Sequence, residues 1–342
     1  MKKIIKNSFL VLIITIVVLF IMLRKDYKTI ISAIVDSNKL YLLLALLFYF
    51  ISFFIDSFSF HMIIRNYTKK YSYSNTLKLN MMTKFFNGVT PLSTGGQPLQ
   101  IYELYKNKVK LDDSTNIVVQ FFIIYQIAVV IFSTIAVILN YIFHIFAKDL
   151  FVRKLVVLGY IINIVVLLVL FLISFNKDFN FKIIGFGINI LSKLKIVKNK
   201  DKTMEKWEKK CNNFYESAMV LKKNPRVLIY GTTLQIVQLL FLYSVPFFLA
   251  KSIVSDLNLT YINSVVSSTY VNLIGSYIIV PGASGGIEYG FIKLFSNFFK
   301  EPFILSVTIL WRFVTYYLPL ILGGILFNIK KKDILPNVLD KE

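Results

Sequence analysis

Two short segments of this apolar chain combine the residue types that bind anions inside membranes. They are "VTPLSTGGQPLQ" at residues 89–100 and "VPGASGGIEYG" at residues 280–290, and both contain Pro-x-x-(Ser/Thr)-Gly-Gly. Glycine pairs permit positive φ and close backbone approach, and a helix that begins after them presents unpaired N–H groups and a positive dipole end. Such helix ends attract phosphate and similar groups. The two segments therefore predict a binding site for an anionic group.

The residue that caps each outgoing helix is open from the sequence. Thr94 and Ser284 are placed to cap the helices that follow, and Thr94-x-x-Gln97 fits a capping box. Alternatively, Gln97 is itself the cap and Pro98 is the first helical residue. In both cases we expect the helix N-termini to face the centre of the protein.

Ionisable side chains within the apolar segments are the second set of candidates. Glu288 follows the second glycine pair, and Arg312 lies inside the last apolar segment. A charge at membrane depth costs ~2.5–3.5 kcal/mol on insertion scales. Because of this cost, such residues are predicted to have a function. Arg312 either forms a structural ion pair, with Glu288 or Asp56, or binds an anion through its guanidinium. Glu103 and Lys84 flank the first motif and are candidates for the same polar network.

The predicted substrate-binding residues lie in the two motifs or in the last apolar segment, and three supporting residues lie near them. The binding residues are Pro91, Thr94, Gly95, Gly96, Gln97, Gln100, Pro281, Ser284, Gly285, Gly286, Glu288 and Arg312, and the supporting residues are Asn87, Asp56 and Glu103. No catalytic residue, metal site or cofactor is expected. The chain has two distant histidines, one cysteine and no GxxxxGK(S/T) phosphate loop.

The elements that position these residues are membrane-spanning helices. The chain is 56% hydrophobic, and several nearly uncharged runs exceed 18 residues, enough for a helix to cross ~30 Å of hydrocarbon. The predicted fold class is an all-α polytopic membrane protein with six full spans and two re-entrant helical hairpins. One hairpin contains residues 89–100, and the other covers 262–299. The predicted spans are 8–23, 40–61, 116–142, 154–175, 227–250 and 303–328.

The distribution of basic residues predicts the orientation of the chain. Residues 1–8, 61–110, 176–226 and 330–342 hold 28 of the 39 Lys and Arg, whereas the alternate loops hold 10. Cytoplasmic loops collect Lys and Arg, so both termini are predicted to be cytoplasmic. The same rule explains the net charge of +21 without nucleic acid as a partner. The two hairpins then enter from opposite sides, as in inverted repeats with broken helices.

A basic segment interrupts the otherwise apolar chain at residues 176–226. It carries 13 Lys or Arg against five acidic residues, and apolar residues recur at helical spacing in "DKTMEKWEKKCNNFYESAMVLKK". This pattern predicts either an amphipathic helix on anionic lipid or an ordinary basic cytoplasmic loop. The predicted organisation is one integral membrane domain, 1–330, that includes this segment, and a basic tail, 331–342.

The motifs "NGVTPLSTGGQPLQIYEL", "VPGASGGIEYGF" and "WRFVTYYLPLILGG" together resemble the transmembrane domain of lysylphosphatidylglycerol synthase/flippase proteins. The resemblance covers about residues 8–330 and places the prolines and glycines of both motifs, Glu288 and Arg312 at characteristic family positions. Gln97 departs from the family, which usually has an acidic residue there. Full-length members carry a soluble aminoacyltransferase domain, but this sequence ends at "KKKDILPNVLDKE", so a stand-alone member is expected.

The resemblance implies a protein that moves a lipid between leaflets of the cell membrane. The implied partner is an anionic phospholipid, an aminoacylated phosphatidylglycerol or a polyprenyl-linked lipid, and a homo-oligomer is compatible with the sequence. Two alternatives stay open. One is the membrane part of a phosphatidylglycerol lysyltransferase, and the other is a secondary transporter of a small solute.

Overall fold

All regular structure in the described part of the chain is helical. The computed structural model describes residues 27–146, 150–175, 185, 188, 192, 199–254, 257–300 and 302–332. The predicted first span, 8–23, and nearly all of the tail, 331–342, lie outside these residues. The helices are α1 Tyr27–Val35, α2 Lys39–Tyr67, α3 Tyr73–Gly88, α4 Gly96–Lys106, α5 Leu111–Phe143, α6 Leu150–Phe175, α7 Lys200–Lys223, α8 Pro225–Ile253, α9 Tyr261–Gly275, α10 Gly286–Phe295, α11 Phe303–Arg312 and α12 Leu318–Lys332.

Five helical segments are long and apolar enough to cross a membrane. The last of them joins α11 to α12 through a π-helical turn, Phe313–Tyr317. These segments coincide with five of the six predicted spans, so the chain is a multi-pass, all-α membrane protein. They are Lys39–Tyr67, Leu111–Phe143, Leu150–Leu172, Pro225–Ile253 and Phe303–Ile329.

The two predicted hairpins are α3–α4 and α9–α10, and each turns at its Pro-Gly-Gly motif. The first arms start alike, since Ser72 accepts a hydrogen bond from the Asn75 N–H and Thr260 accepts one from the Asn263 N–H. These hydroxyl caps satisfy N–H groups that a helix start leaves unpaired. Both hairpins therefore begin with the same local signal, Ser/Thr-x-x-Asn.

The hairpins approach each other from opposite ends of the last span. Helix α3 packs along α12, α10 packs along α11, and the two tips contact each other. Gly88 at the end of α3 lies against Tyr316, and Phe291 of α10 stacks on Trp311. Since α11 and α12 are the two halves of one continuous helical segment, the tips meet near its middle. Entry of the two hairpins from opposite sides of the membrane remains a prediction.

Two of the three apolar clusters among the described residues surround the hairpins. One cluster surrounds α9 and α10 and includes Leu273, Phe291 and Phe295, while another surrounds α3 and α4 and includes Leu79 and Leu104. Each hairpin is thus anchored in its own apolar cluster. The polar tips lie where the two halves of the molecule meet.

Helix α7 lies within the basic segment 176–226. It packs against α5 and α6, and Leu221 near its end is buried beside residues of α2 and α5. The position of this helix at a membrane surface remains a prediction.

Candidate functional site

The two tips follow the same backbone path. Pro91 and Pro281 each start a 3₁₀ turn. The next two residues have positive φ in both copies, 51° and 53° at Leu92 and Ser93, and 62° and 52° at Gly282 and Ala283. Left-handed backbone costs roughly 1–2 kcal/mol at a residue with a Cβ. A strained turn persists only where surrounding contacts hold the backbone in that conformation. Because the same strained turn occurs in both tips, the two tips share one backbone structure.

The first outgoing helix is capped from the opposite arm of its own hairpin. The Gly95 N–H donates to Thr90 Oγ1 and the Gly96 N–H donates to Asn87 Oδ1, both at 2.8 Å. A Cβ at Gly96 would overlap that Asn87 oxygen, so glycine is needed for this close approach. The predicted cap at Thr94 is wrong, because its hydroxyl bonds the Pro91 carbonyl. Gln97, the alternative cap, lies inside the helix, which begins at Gly96.

The second outgoing helix is capped by its own acidic residue. Gly285 precedes the helix at φ 89°, a conformation that favours glycine, and its N–H donates to Glu288 Oε2 at 2.7 Å. Ser284 was predicted as this cap, but its hydroxyl accepts a hydrogen bond from Arg312 instead. At Gly95, Gly96 and Gly285, the expected free N–H groups are therefore already bonded within the protein.

Arg312 and Glu288 form a buried ion pair between α11 and α10. Arg312 Nε lies 2.7 Å from Glu288 Oε1, and both side chains are nearly inaccessible. The two atoms are close without the alignment of a hydrogen bond. Arg312 Nη2 donates to the Gly282 carbonyl and to Ser284 Oγ, each at 3.1 Å. Of the two predicted carboxylate partners of Arg312, the structure selects Glu288.

Tyr316 joins the ion pair to both hairpins. Its hydroxyl donates to the Gly88 carbonyl at 3.0 Å, and its ring lies 4.1 Å from the Arg312 guanidinium carbon. A Cβ at Gly282 would overlap the Tyr316 hydroxyl. One aromatic side chain therefore holds the end of the first hairpin arm, the second tip and the buried arginine together.

Tyr316 and the π-helical turn that carries it were not predicted from the sequence. Pro319 is the available signal, because a proline lacks the N–H that would bond the carbonyl four residues earlier. The Leu318 N–H bonds the Phe313 carbonyl, five residues back. Such π-turns recur at functional sites. Here the turn directly follows Arg312.

Asp56 belongs to a separate polar cluster. Lys84 Nζ and Asn80 Nδ2 donate to Asp56 Oδ2 at 2.9 and 3.1 Å, and Gln235 Nε2 donates to Oδ1 at 3.2 Å. The alternative pairing of Asp56 with Arg312 is wrong, and the single predicted polar network is divided into two. The reason is helix packing, since α2 lies against α3 and α8 at this level while Arg312 lies against α10.

The remaining candidates lie around the first hairpin. Gln100 and Glu103 are buried on α4. Burial raises the pKa of the Tyr71 phenol, and the negative charge of Glu103 raises this pKa further. Gln97 is partly buried. Glu103 is thus the carboxylate of the first hairpin, six residues beyond Gln97.

Parts of both tips are exposed at the level of the buried ion pair. Leu92 is 50% exposed, Pro91 and Thr94 are exposed in the first tip, and Gly285 is exposed in the second. Lipid does not satisfy irregular backbone, so non-helical segments at membrane depth are tolerated only where they are buried in protein or line a polar cavity. The exposed tips are therefore candidates for lining a polar face beside the ion pair.

Comparison with known proteins agrees with this architecture. A family model described as "Lysylphosphatidylglycerol synthase TM region" matches residues 8–323. The chain is also similar to "UPF0104 membrane protein MJ1595" of Methanocaldococcus jannaschii. The two are 28% identical over 350 aligned positions, which cover 97% of each chain.

Proposed function

Because this chain belongs to the lysylphosphatidylglycerol synthase transmembrane-region family, we propose that it moves an anionic lipid between the leaflets of the cell membrane. The carrying observation is the buried Arg312–Glu288 pair at the point where two opposed hairpin tips meet. The proposed lipid is a phospholipid, aminoacylated or not, or a polyprenyl-linked lipid. The proposed orientation has both termini in the cytoplasm.

The ion pair offers an exchangeable site for a lipid head group. Arg312 binds a planar carboxylate or a phosphate through several N–H groups, and its contact with Glu288 Oε1 is close but poorly aligned. A head-group phosphate that replaces Glu288 at the guanidinium keeps Arg312 paired. The released carboxylate then binds a cationic part of the head group, such as an aminoacyl ammonium, or takes up a proton. The exposed turns at the tips line the head-group path, while the tails stay in lipid.

The opposed hairpins supply a route for alternating access. Broken helices in inverted repeats place substrate sites near the bilayer midplane, and one half of the protein then moves against the other. Here each hairpin is anchored in its own apolar cluster, whereas the tips are joined through polar contacts of Arg312 and Tyr316. A rearrangement at this polar junction opens one side without dismantling either cluster.

A lipid-modifying transferase is the second candidate, because the family description names a synthase. This alternative predicts that the purified chain, supplied with aminoacyl donor and phosphatidylglycerol, forms a modified lipid detectable by mass spectrometry.

A secondary transporter of a small solute predicts solute uptake into proteoliposomes without lipid movement.

Leaflet transfer of a fluorescent anionic phospholipid in proteoliposomes tests the proposal. We expect protein-dependent access of outer-leaflet quencher to label that began in the inner leaflet, and loss of that access in Glu288→Gln and Arg312→Gln. Lys293→Gln is the matched control, since Lys293 is an exposed charge on the same helix as Glu288. Wild-type transfer rates in both pair variants, with correctly folded protein, would refute the assignment.

A further inference from the structure

A ladder of polar side chains runs along the interface between α2 and α8. Gln238 Nε2 donates to Ser52 Oγ at 2.8 Å, and one turn further Gln235 Nε2 donates to Asp56 Oδ1 at 3.2 Å. The next positions on the same two helix faces are also polar. With a rise of 1.5 Å per residue, this ladder spans roughly 10 Å of the membrane interior. Its members are Ser52, Asp56 and Ser59 on α2, and Thr232, Gln235 and Gln238 on α8.

Several oxygens of this ladder are buried without a hydrogen-bond partner. Among the described residues, the unpartnered atoms include Gln235 Oε1, Gln238 Oε1, Ser59 Oγ and Thr232 Oγ1. Gln235 is fully buried and Gln238 is 4% exposed. A carboxylate only accepts, so the amide nitrogen of Gln235 must face Asp56 and its oxygen is the atom left over. Unpartnered buried polar atoms of this kind call for a bound water or ion.

The chemistry of the ladder selects the class of ligand. Every unpartnered group on it is an oxygen, and oxygen ligands suit hard cations. Asp56 is the carboxylate of the ladder, and no group of three or more His, Cys, Asp or Glu side chains occurs in the described ranges. One carboxylate with neutral oxygens matches a single positive charge. We propose that Asp56, together with the ladder oxygens nearest to it, forms a binding site for a small monovalent cation, with sodium as the probe ion.

Lys84 now occupies the position that this cation takes. Its ammonium lies 2.9 Å from Asp56 Oδ2, and 35% of its side chain is exposed, compared with 7% for Asp56. A flexible, partly exposed lysine leaves its partner at a smaller cost than a fully buried cation would. The cation then neutralises Asp56, and rotation of the Gln235 amide about its last bond presents Oε1 in place of Nε2. Cation binding and the Lys84–Asp56 pair are therefore mutually exclusive.

This exchange acts on the first hairpin. Lys84 is on α3, one helical turn before Gly88, where Tyr316 bonds the end of the arm. The π-helical turn that carries Tyr316 also contacts α2. Release of Lys84 removes one of the contacts that hold α3 against α2. The cation site stands independently of lipid movement, whereas its use in coupling transport to an ion gradient rests on the proposed function.

Equilibrium binding of radioactive sodium to the purified full-length chain in nanodiscs tests the site. Total chloride and ionic strength are held constant with choline chloride. We expect saturable binding by the wild type, about tenfold tighter in Lys84→Met, because an ion pair close to a protein surface weakens a competing equilibrium by at least such a factor. Lys78→Met is the matched control, since Lys78 is exposed on the same helix, and it binds as the wild type does.

The variant Asp56→Asn/Lys84→Met removes both charges together and leaves no unpaired ion, so it tests the carboxylate in a folded protein. We expect it to lose sodium binding while it keeps a cooperative thermal transition. No saturable binding in both the wild type and Lys84→Met would mean that the ladder holds only water and would overturn the proposal. Binding retained by the double variant, or equal affinity with and without Lys84, would overturn it as well. Sodium binding without leaflet transfer would refute only the proposed function.

Discussion

Removal of Arg312 should destabilise the protein more than removal of the charge on Glu288. The change Arg312→Met deletes the ion pair, the hydrogen bonds to Gly282 and Ser284, and the contact with the Tyr316 ring. It also leaves a buried carboxylate that keeps the Gly285 N–H as a donor. Breaking a buried pair in this way costs ~3–5 kcal/mol.

The variant Glu288→Gln leaves the Arg312 guanidinium buried, and this charge keeps more partners than the Glu288 carboxylate keeps in Arg312→Met. The guanidinium keeps both carbonyl and hydroxyl acceptors and the aromatic ring, and the new amide oxygen still accepts from Gly285. The new amide nitrogen then faces the guanidinium in place of a carboxylate oxygen, and the loss of this charged contact should cost ~2–3 kcal/mol. In the double variant Glu288→Gln/Arg312→Met neither charge is buried. Its loss should fall below the sum of the single losses, with a coupling energy of ~2–3 kcal/mol.

Reversible unfolding in mixed micelles, or steric trapping in bicelles, measures these free energies. Glu288→Gln, Arg312→Met and the double variant form a complete thermodynamic cycle with the wild type. Additive losses would show that the two side chains do not interact energetically. A larger loss for Glu288→Gln than for Arg312→Met would contradict the assignment of the remaining partners to the guanidinium.

Two further predictions concern packing and orientation. Gly323→Ala should destabilise the protein by ~1–3 kcal/mol through overpacking, because its Cβ would overlap a backbone carbonyl of α3. Gly324→Ala, whose Cβ would only touch a phenylalanine ring, should be tolerated, as thermal unfolding of both will show. In a Cys211→Ser background, a cysteine replacing Lys108 should react with an impermeant thiol reagent only from the cytoplasm, and one replacing His144 only from outside. The reverse pattern would invalidate the charge-based topology.

The membrane-spanning helices could be predicted because their signal is local. A run of about twenty apolar residues specifies a span by length alone, and each of the five described spans overlaps its predicted range. The hairpin turns were equally predictable, since each motif places a proline and a glycine pair within six residues, a combination that disfavours a continuous helix. The strained turns at Leu92–Ser93 and Gly282–Ala283 repeat because the surrounding motif repeats.

The hydrogen-bond partners of the polar side chains could not be predicted as well from the sequence. Thr94 and Ser284 were predicted to cap helices, but the caps come from Thr90, Asn87 and Glu288. Local spacing allows several side-chain acceptors for each unpaired N–H at a helix start. The choice among them depends on how closely the two arms of a hairpin approach.

The sequence by itself determined the fold class, the two breaks in the helices and which ionisable residues lie within apolar segments. Only the tertiary structure decided which charges pair. Glu288 and Asp56 are both carboxylates in apolar helices, yet Arg312 pairs with one and Lys84 with the other. The pairs are 24 and 28 residues apart in the chain. No helical periodicity extends over such distances across a turn, so the packing of α3 on α2 and of α10 on α11 sets the partners.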